Sequence, residues 1–187
     1  PPVTGTSISM LAESDAKDLL NGFGVATPAS RIAGNIEEAV AAAEAIGYPV
    51  VLKGMGIAHK TEAGAVALNL KSAAAVRSAA ERMPVRTLLV EKMVTGTIAE
   101  LLVGVVSDPA HGSVLTLAAG GVLTELLEDS VSLLVPASRA EVEEALKSLK
   151  IGRVLAGYRG GPACDLGAIV EAVMAVQACA VSAAIEE

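Results

Sequence analysis

Apolar residues recur along this chain with two spacings, and the change from one to the other separates predicted helices from predicted strands. Ile36, Ala39, Val40, Ala43 and Ile46 fall on one helical face. Asn35 precedes them with Glu38 three residues on, a capping-box arrangement, and Gly47 ends the run. Residues 13–21 read as a shorter helix through Ala16, Leu19 and Leu20, stopped by Gly22 or Gly24. Residues 29–33 read as a short strand after Pro28. Past the turn Gly47-Tyr48-Pro49, the unbroken run Val50-Val51-Leu52 predicts a buried strand that ends in Lys53. A second strand follows, with Val66, Leu68 and Leu70 on one face and Ala65, Ala67 and Asn69 on the other. Ser72 then caps a helix to about Met83.

From Thr87 the spacing is that of strands: 88–94, 100–106, 113–118, and 123–127 with 131–135. Asp108-Pro109 and His111-Gly112 are turn signals, and their regular placing argues for an antiparallel sheet. Ser138 with Glu141 makes a second capping box and opens a helix to Leu149. Gly157-Tyr158-Arg159-Gly160-Gly161-Pro162 reads as a loop, after which Asp165 caps a final helix to about Ile185. The fold class is α+β.

Composition narrows the functions open to it. The 187 residues suit one domain, or one domain of two lobes. Hydrophobic residues make up 52% while aromatics are 2%, with no tryptophan, so closely packed Ala, Val and Leu are expected, and no base-stacking surface. A net charge of −7 argues against a general binder of nucleic acid. No run is apolar for long enough to span a bilayer, and Pro1 to Ser9 lack the pattern of a signal peptide and look like a linker. Cys164 and Cys179 form no metal-type pair and sit too far apart along a predicted helix to bridge, so a reduced, cytoplasmic protein is expected.

Any phosphate binding must therefore be local, and the stretch from Val50 to Val66 is where it is expected. Lys53 ends a strand, where its ammonium can leave the core. The following loop carries His59, Lys60 and Gly54, Gly56 and Gly64, so backbone N–H groups and cations are both at hand for a phosphate chain. The plain alternative is a hairpin with an exposed basic loop.

In this order the elements resemble the ATP-grasp domain of the NDP-forming (ADP-forming) acyl-CoA synthetases, related to the β subunit of succinyl-CoA ligase. The resemblance is carried by Leu11-Ala12-Glu13 with Ala16-Lys17 and Leu19-Leu20, Phe23-Gly24-Val25, Gly47-Tyr48-Pro49-Val50-Val51-Leu52-Lys53 and His59-Lys60-Thr61-Glu62-Ala63-Gly64. Downstream it continues through Val90-Glu91-Lys92-Met93-Val94, Glu100-Leu101-Leu102-Val103-Gly104-Val105 with Asp108-Pro109, and Gly120-Gly121 with Glu125-Leu126-Leu127. It closes on Gly157-Tyr158-Arg159-Gly160 with Pro162 and Asp165. It covers nearly the whole chain after Ser9.

The resemblance implies a two-lobed ATP-grasp fold with the nucleotide between the lobes: a small lobe at about 24–86, and a large lobe of 11–23 plus 87–187 after a linker-like start at 1–10. It implies that Lys53 binds the α- and β-phosphates. Residues 91–94 would be an edge strand beside the adenine, through Glu91 and the backbone of Lys92 and Met93, with Glu100 facing the ribose or ordering the site. The family's phosphohistidine lies on the CoA-binding portion, and His59 matches a histidine that takes the phosphoryl group as a second carrier, with Lys60 and Lys53 offsetting its charge. Asp165 would orient or polarise the histidine when the carrier segment docks, and Arg159 would reach a phosphate. The implied reaction is acid + CoA + ATP ⇌ acyl-CoA + ADP + Pi through a phosphohistidine, with ATP or ADP and Mg²⁺ as cofactors. The implied partners are CoA-binding and ligase domains or subunits, a small carboxylic acid and CoA, and a second copy of the chain in a homo-oligomer; neither nucleic acid nor membrane is expected. The family's magnesium-ligand strand after the last helix has no counterpart here, so the metal ligands are unassigned. The connection Met83-Pro84-Val85-Arg86 is also shorter than the family's.

Each residue has a plainer alternative. Glu91 and Glu100 read equally as solvated strand residues, His59 and His111 as surface histidines, Asp165 as a helix cap and Arg159 as a loop ion-pair partner. For the whole chain, the alternative is a catalytically silent nucleotide-binding module of a fused protein such as a protein N-acetyltransferase. A different ATP-grasp ligase, making a peptide-like bond, would not need His59-Lys60.

Overall fold

A computed structural model describes residues 11–57, 63–108, 110–121 and 128–182. Two compact units emerge, the first built from residues up to Asp18 with Thr27–Thr95, the second from Leu19–Ala26 with the chain after Gly96.

The first unit is a four-stranded antiparallel sheet with two helices on one face. Its elements are β1 (Ser30–Ala33), α2 (Ile36–Ile46), β2 (Val50–Gly54), β3 (Val66–Leu70), α3 (Ala73–Arg82) and β4 (Leu88–Lys92), preceded by the start of α1 (Glu13–Gly22). The sheet order is β1-β4-β2-β3. Caps form where the sequence asks for them. The Asn35 carboxamide oxygen accepts from Glu38 N–H at 2.9 Å, and Ser72 Oγ accepts from Ala75 N–H at 3.2 Å. The returning half of the first box differs from expectation: Glu38 accepts from Gly34 N–H and from the Asn35 side chain, so it ties down the residue before the cap.

Alternation splits the inner strands cleanly. Val50, Leu52, Leu88 and Val90 face the helices and pack on Ala39, Ala43, Val76 and Ala79. Val51, Lys53, Leu89 and Glu91 therefore lie on the other face. The small helical side chains let α2 and α3 approach the sheet closely, which explains how a core forms here almost without aromatics.

Two expectations fail in this unit. On β3, Val50 pairs with Leu70 but Leu52 pairs with Ala67, so β3 holds one extra residue, with Asn69 at φ 57°. The bulge flips the facing. Leu70 and Ala67 both turn to the core while Leu68 is 62% exposed. The strand carrying Glu91 was expected at an edge, but β4 lies between β1 and β2, pairing Ser30 with Glu91 on one side and Val51 with Glu91 on the other. That pairing keeps β4 in the first unit, which runs to Thr95.

The second unit is a three-stranded antiparallel meander, β5 (Leu101–Asp108), β6 (Gly112–Ala119) and β7 (Ser130–Leu134), with α4 (Arg139–Ser148), α5 (Gly152–Leu155) and α6 (Leu166–Ser182). Val105, Leu115 and Leu117 from the sheet meet Val142, Leu146, Val170 and Val173 from the helices. The β5–β6 turn is held by Asp108, whose Oδ1 accepts from Ala110 and His111 N–H at 2.8 Å each; these bonds hold its carboxyl below the ordinary value. His111 is exposed, as expected. The Ser138–Glu141 capping box forms in full.

Between α4 and the loop predicted at 157–162 lies the short helix α5, which was not expected, and the loop itself holds a 3₁₀ turn at Tyr158–Gly160. The predicted strand 123–127 lies outside the described residues. Cys164 and Cys179 are free, and burial raises the Cys179 thiol pKa. No helix of the described residues is long and apolar enough to cross a membrane.

Candidate functional site

The charged site of the first unit grows out of the sheet face opposite the helices. Lys53, next to last on β2, and Glu91, next to last on β4, sit diagonally across the register that pairs Lys53 with Leu89 and Val51 with Glu91. The Lys53 ammonium donates to Glu91 Oε1 at 3.0 Å. Glu91 is only 7% exposed, so its charge is tolerable because it is paired.

Two further residues complete the cluster. Glu13 and Lys17 stand one turn apart on α1, and Lys17 donates to Glu13 Oε1 at 2.9 Å. Lys53 reaches the same Glu13 oxygen at 2.6 Å, and Lys17 donates to Glu91 Oε2. Four charges thus alternate in sign around a ring. Burial pulls the Lys53 pKa down, but its hydrogen bonds and attraction to Glu13 and Glu91 prevail, and the value lies above the ordinary lysine range. Lys53 is therefore a fully charged ammonium at neutral pH, held by carboxylates that a more highly charged anion can replace.

Sequence reasoning found Lys53 and Glu91 but not Glu13 and Lys17. Their signal was the i, i+4 spacing of an acid and a base on a predicted helix, a pattern common on solvated helices.

Lys92 and Met93 are tied down within the first unit. The Lys92 ammonium donates to the carbonyls of Gly47 and Tyr48 at 2.9 and 2.8 Å, at the C-terminal end of α2 where a cation is favoured. The backbone N–H of Lys92 bonds to Ala29 O, and that of Met93 to Pro49 O. Those two donors are engaged within the unit. His59 and Lys60 lie outside the described residues.

The remaining predicted residues belong to the second unit. Glu100 is exposed just before β5; its carbonyl accepts from Gly120 N–H at 2.8 Å, and its carboxylate lies where a Cβ on Gly121 would fall. Gly121 has φ 81°, so the Gly-Gly pair serves both conformation and clearance. Arg159 has φ 51°, and its guanidinium lies 5.2 Å from the Tyr158 ring centroid, a cation–π contact and not the loop ion pair of the plainer alternative. Asp165 caps α6, its Oδ1 accepting from Ala168 N–H at 3.0 Å.

Two buried polar residues of this unit were missed altogether. Asp129 accepts from Lys150 and Ile151 N–H, and Gln177 both accepts from and donates to the backbone of Ala137. Among the described residues, no group of three or more His, Cys, Asp and Glu side chains could hold a metal ion.

Comparison with known proteins gives consistent results. A family model described as an ATP-grasp domain matches residues 3–185. A trans-feruloyl-CoA synthase of an unknown prokaryotic organism is 41% identical over 89% of this chain and 25% of its own. The β subunit of an ADP-forming acetate–CoA ligase of Pyrococcus furiosus is 30% identical over 89% of this chain and 75% of its own. The chain spans about a quarter of the length of the first curated relatives it matches. Among solved structures, an acetyl-coenzyme A synthetase of Ca. Korarchaeum cryptofilum superposes with a TM-score of 0.80 at 32% identity, covering 90% of this chain and 78% of that one. It holds coenzyme A and Mg-AMPPCP, with a phosphohistidine segment pointing towards the nucleotide binding site.

Proposed function

The chain belongs to the ATP-grasp domain family, and from that premise we propose that it is the ATP-binding and phosphoryl-transfer domain of an ADP-forming acyl-CoA synthetase. The reaction is acid + CoA + ATP ⇌ acyl-CoA + ADP + Pi, carried out together with CoA-binding and ligase domains or subunits. The observation that carries this reading is the charge ring. A lysine charged at neutral pH stands on the sheet face opposite α2 and α3, held by two carboxylates it can exchange for phosphate oxygens. That the relatives are acid–CoA synthetases and ligases supports an enzyme over a silent module.

In this reading Lys53 binds and orients the α- and β-phosphates, and Glu91 orients Lys53. His59 is the nucleophile: a neutral imidazole nitrogen attacks the γ-phosphorus, the bond from that phosphorus to the bridging oxygen breaks, and ADP leaves. Lys60 offsets charge on the transferred group. Glu100 orders the glycine turn at Gly120-Gly121, and Arg159 is a phosphate-binding residue. Asp165 acts first as a helix cap. The cofactors are ATP or ADP with Mg²⁺, which would supply positive charge to the phosphate oxygens; the described residues assign it no ligands. Free cysteines accord with a cytoplasmic protein.

The test uses γ-labelled ATP. Wild type should take up an acid-labile phosphoryl group, and His59→Ala should lose it while binding ATP within a few fold of wild type. Lys53→Met should weaken ATP binding by about 1.5–3 kcal/mol, the worth of a hydrogen bond to a charged group. Full labelling of His59→Ala, or unchanged affinity in Lys53→Met, would refute the assignment concerned.

A further inference from the structure

We propose that Lys17 is a positioning residue for ATP binding: it keeps Glu13 and Glu91 paired when Lys53 turns away from them to a phosphate. The proposal rests on Lys53 being the phosphate-binding lysine.

The geometry of the ring separates the two lysines' duties. Lys53 contacts Oε1 of Glu91 at 3.0 Å, whereas Lys17 contacts Oε2 of the same carboxylate. Both lysines contact Oε1 of Glu13, at 2.6 and 2.9 Å. Every carboxylate that Lys53 leaves is therefore still held by Lys17, through bonds that do not depend on Lys53. A flexible four-carbon stem lets an ammonium move between such partners without moving the backbone.

Charge decides the rest. With Lys53 in place, the ring has two positive and two negative groups. With Lys53 on a phosphate, one cation faces two carboxylates, one of them 7% exposed. Were Lys17 neutral, the same step would take from Glu91 both of the lysines that hold it, and a buried carboxylate stripped of its cations is costly. Lys17 thus lowers the cost of releasing Lys53. Its place is set by helix geometry, since Glu13 and Lys17 share a face of α1 one turn apart.

The experiment is calorimetric titration of the full chain with MgATP and, separately, with adenosine, which has no phosphate and does not require Lys53 to move. Lys17→Gln should bind ATP roughly tenfold more weakly, within the range for neighbours in one charge network, and bind adenosine as wild type does. Lys17→Arg should restore most of the ATP affinity. Glu13→Gln removes one of the carboxylates holding Lys53 and should tighten ATP binding several fold. This arm decides the matter on its own if Lys17→Gln does not fold. Unchanged ATP affinity in Lys17→Gln, equal losses for ATP and adenosine, failure of Lys17→Arg to rescue, or weakened ATP binding in Glu13→Gln would each overturn the role. Absence of any MgATP binding by wild type would instead overturn the reading of Lys53, and this role with it.

Discussion

Replacing Lys53 by Met removes one cation from the ring without removing Glu91's other partner. Deleting one member of a fully buried ion pair costs about 3–5 kcal/mol, because the remaining charge is stranded. Here the Lys53 side chain is 21% exposed and that of Glu91 9%, and Lys17 still holds Glu91 Oε2 and Glu13 Oε1. The single substitution should therefore cost only about 1–2 kcal/mol, the loss of charge-assisted hydrogen bonds with no stranded charge. Lys17→Met/Lys53→Met does strand Glu91 and should cost about 3–5 kcal/mol, more than the two single costs together. At roughly 2–4 °C per kcal/mol for a chain of this size, thermal melts followed by circular dichroism at pH 7.5 should fall by about 2–8 °C and about 6–20 °C respectively. Adding Glu91→Gln to the double variant should recover stability, since a neutral amide needs no cation. If Lys53→Met alone costs as much as the double variant, or Glu91→Gln gives nothing back, the ring does not share charge in this way.

Two further outcomes follow from the same kind of reasoning. The Lys53 pKa is raised above its ordinary value of 10.5, so the stability it contributes is fully present below that pH and is lost only as pH rises through the higher folded value. The difference in melting temperature between wild type and Lys53→Met should stay level from pH 7 to 10 and shrink above, and a decline already between pH 7 and 9 would contradict the direction of the shift. In the second unit, Asp129→Ala should lower stability by about 2–3 kcal/mol by taking the acceptor from Lys150 and Ile151 N–H, and Asp129→Asn by roughly half that, since an amide has one acceptor oxygen. Urea unfolding would check this, and a cost for Ala under about 0.5 kcal/mol would show the two bonds to be dispensable.

The sequence was most legible where the deciding interactions are local. Asn35, Ser72 and Ser138 cap their helices through atoms three residues away, Gly47 ends α2 through its own φ of 84°, and Asp108 closes its turn onto Ala110 and His111. In each case the partner and the conformation are written within one turn of chain. The unbroken run Val50 to Leu52 likewise predicted a buried strand, and plain alternation was the expectation for the strand after it. It failed on β3, because the extra residue there is set by pairing with β2 and not by the sequence of β3 itself.

What the tertiary structure alone decided is the company each charge keeps. Lys53 was legible as a cation at a strand end, and Glu91 as an acid on a later strand. Only the order β1-β4-β2-β3, which puts β4 beside β2, makes them partners across 38 residues, and only the seat of α1 adds Glu13 and Lys17. Gln177 and Asp129 are further cases, buried against backbone 40 and 21 residues away. A local pattern constrains a residue's own dihedral angles and the side it faces. The free energy of a buried charge depends on which other charges arrive at the same place, and that is settled when distant strands and helices pack together.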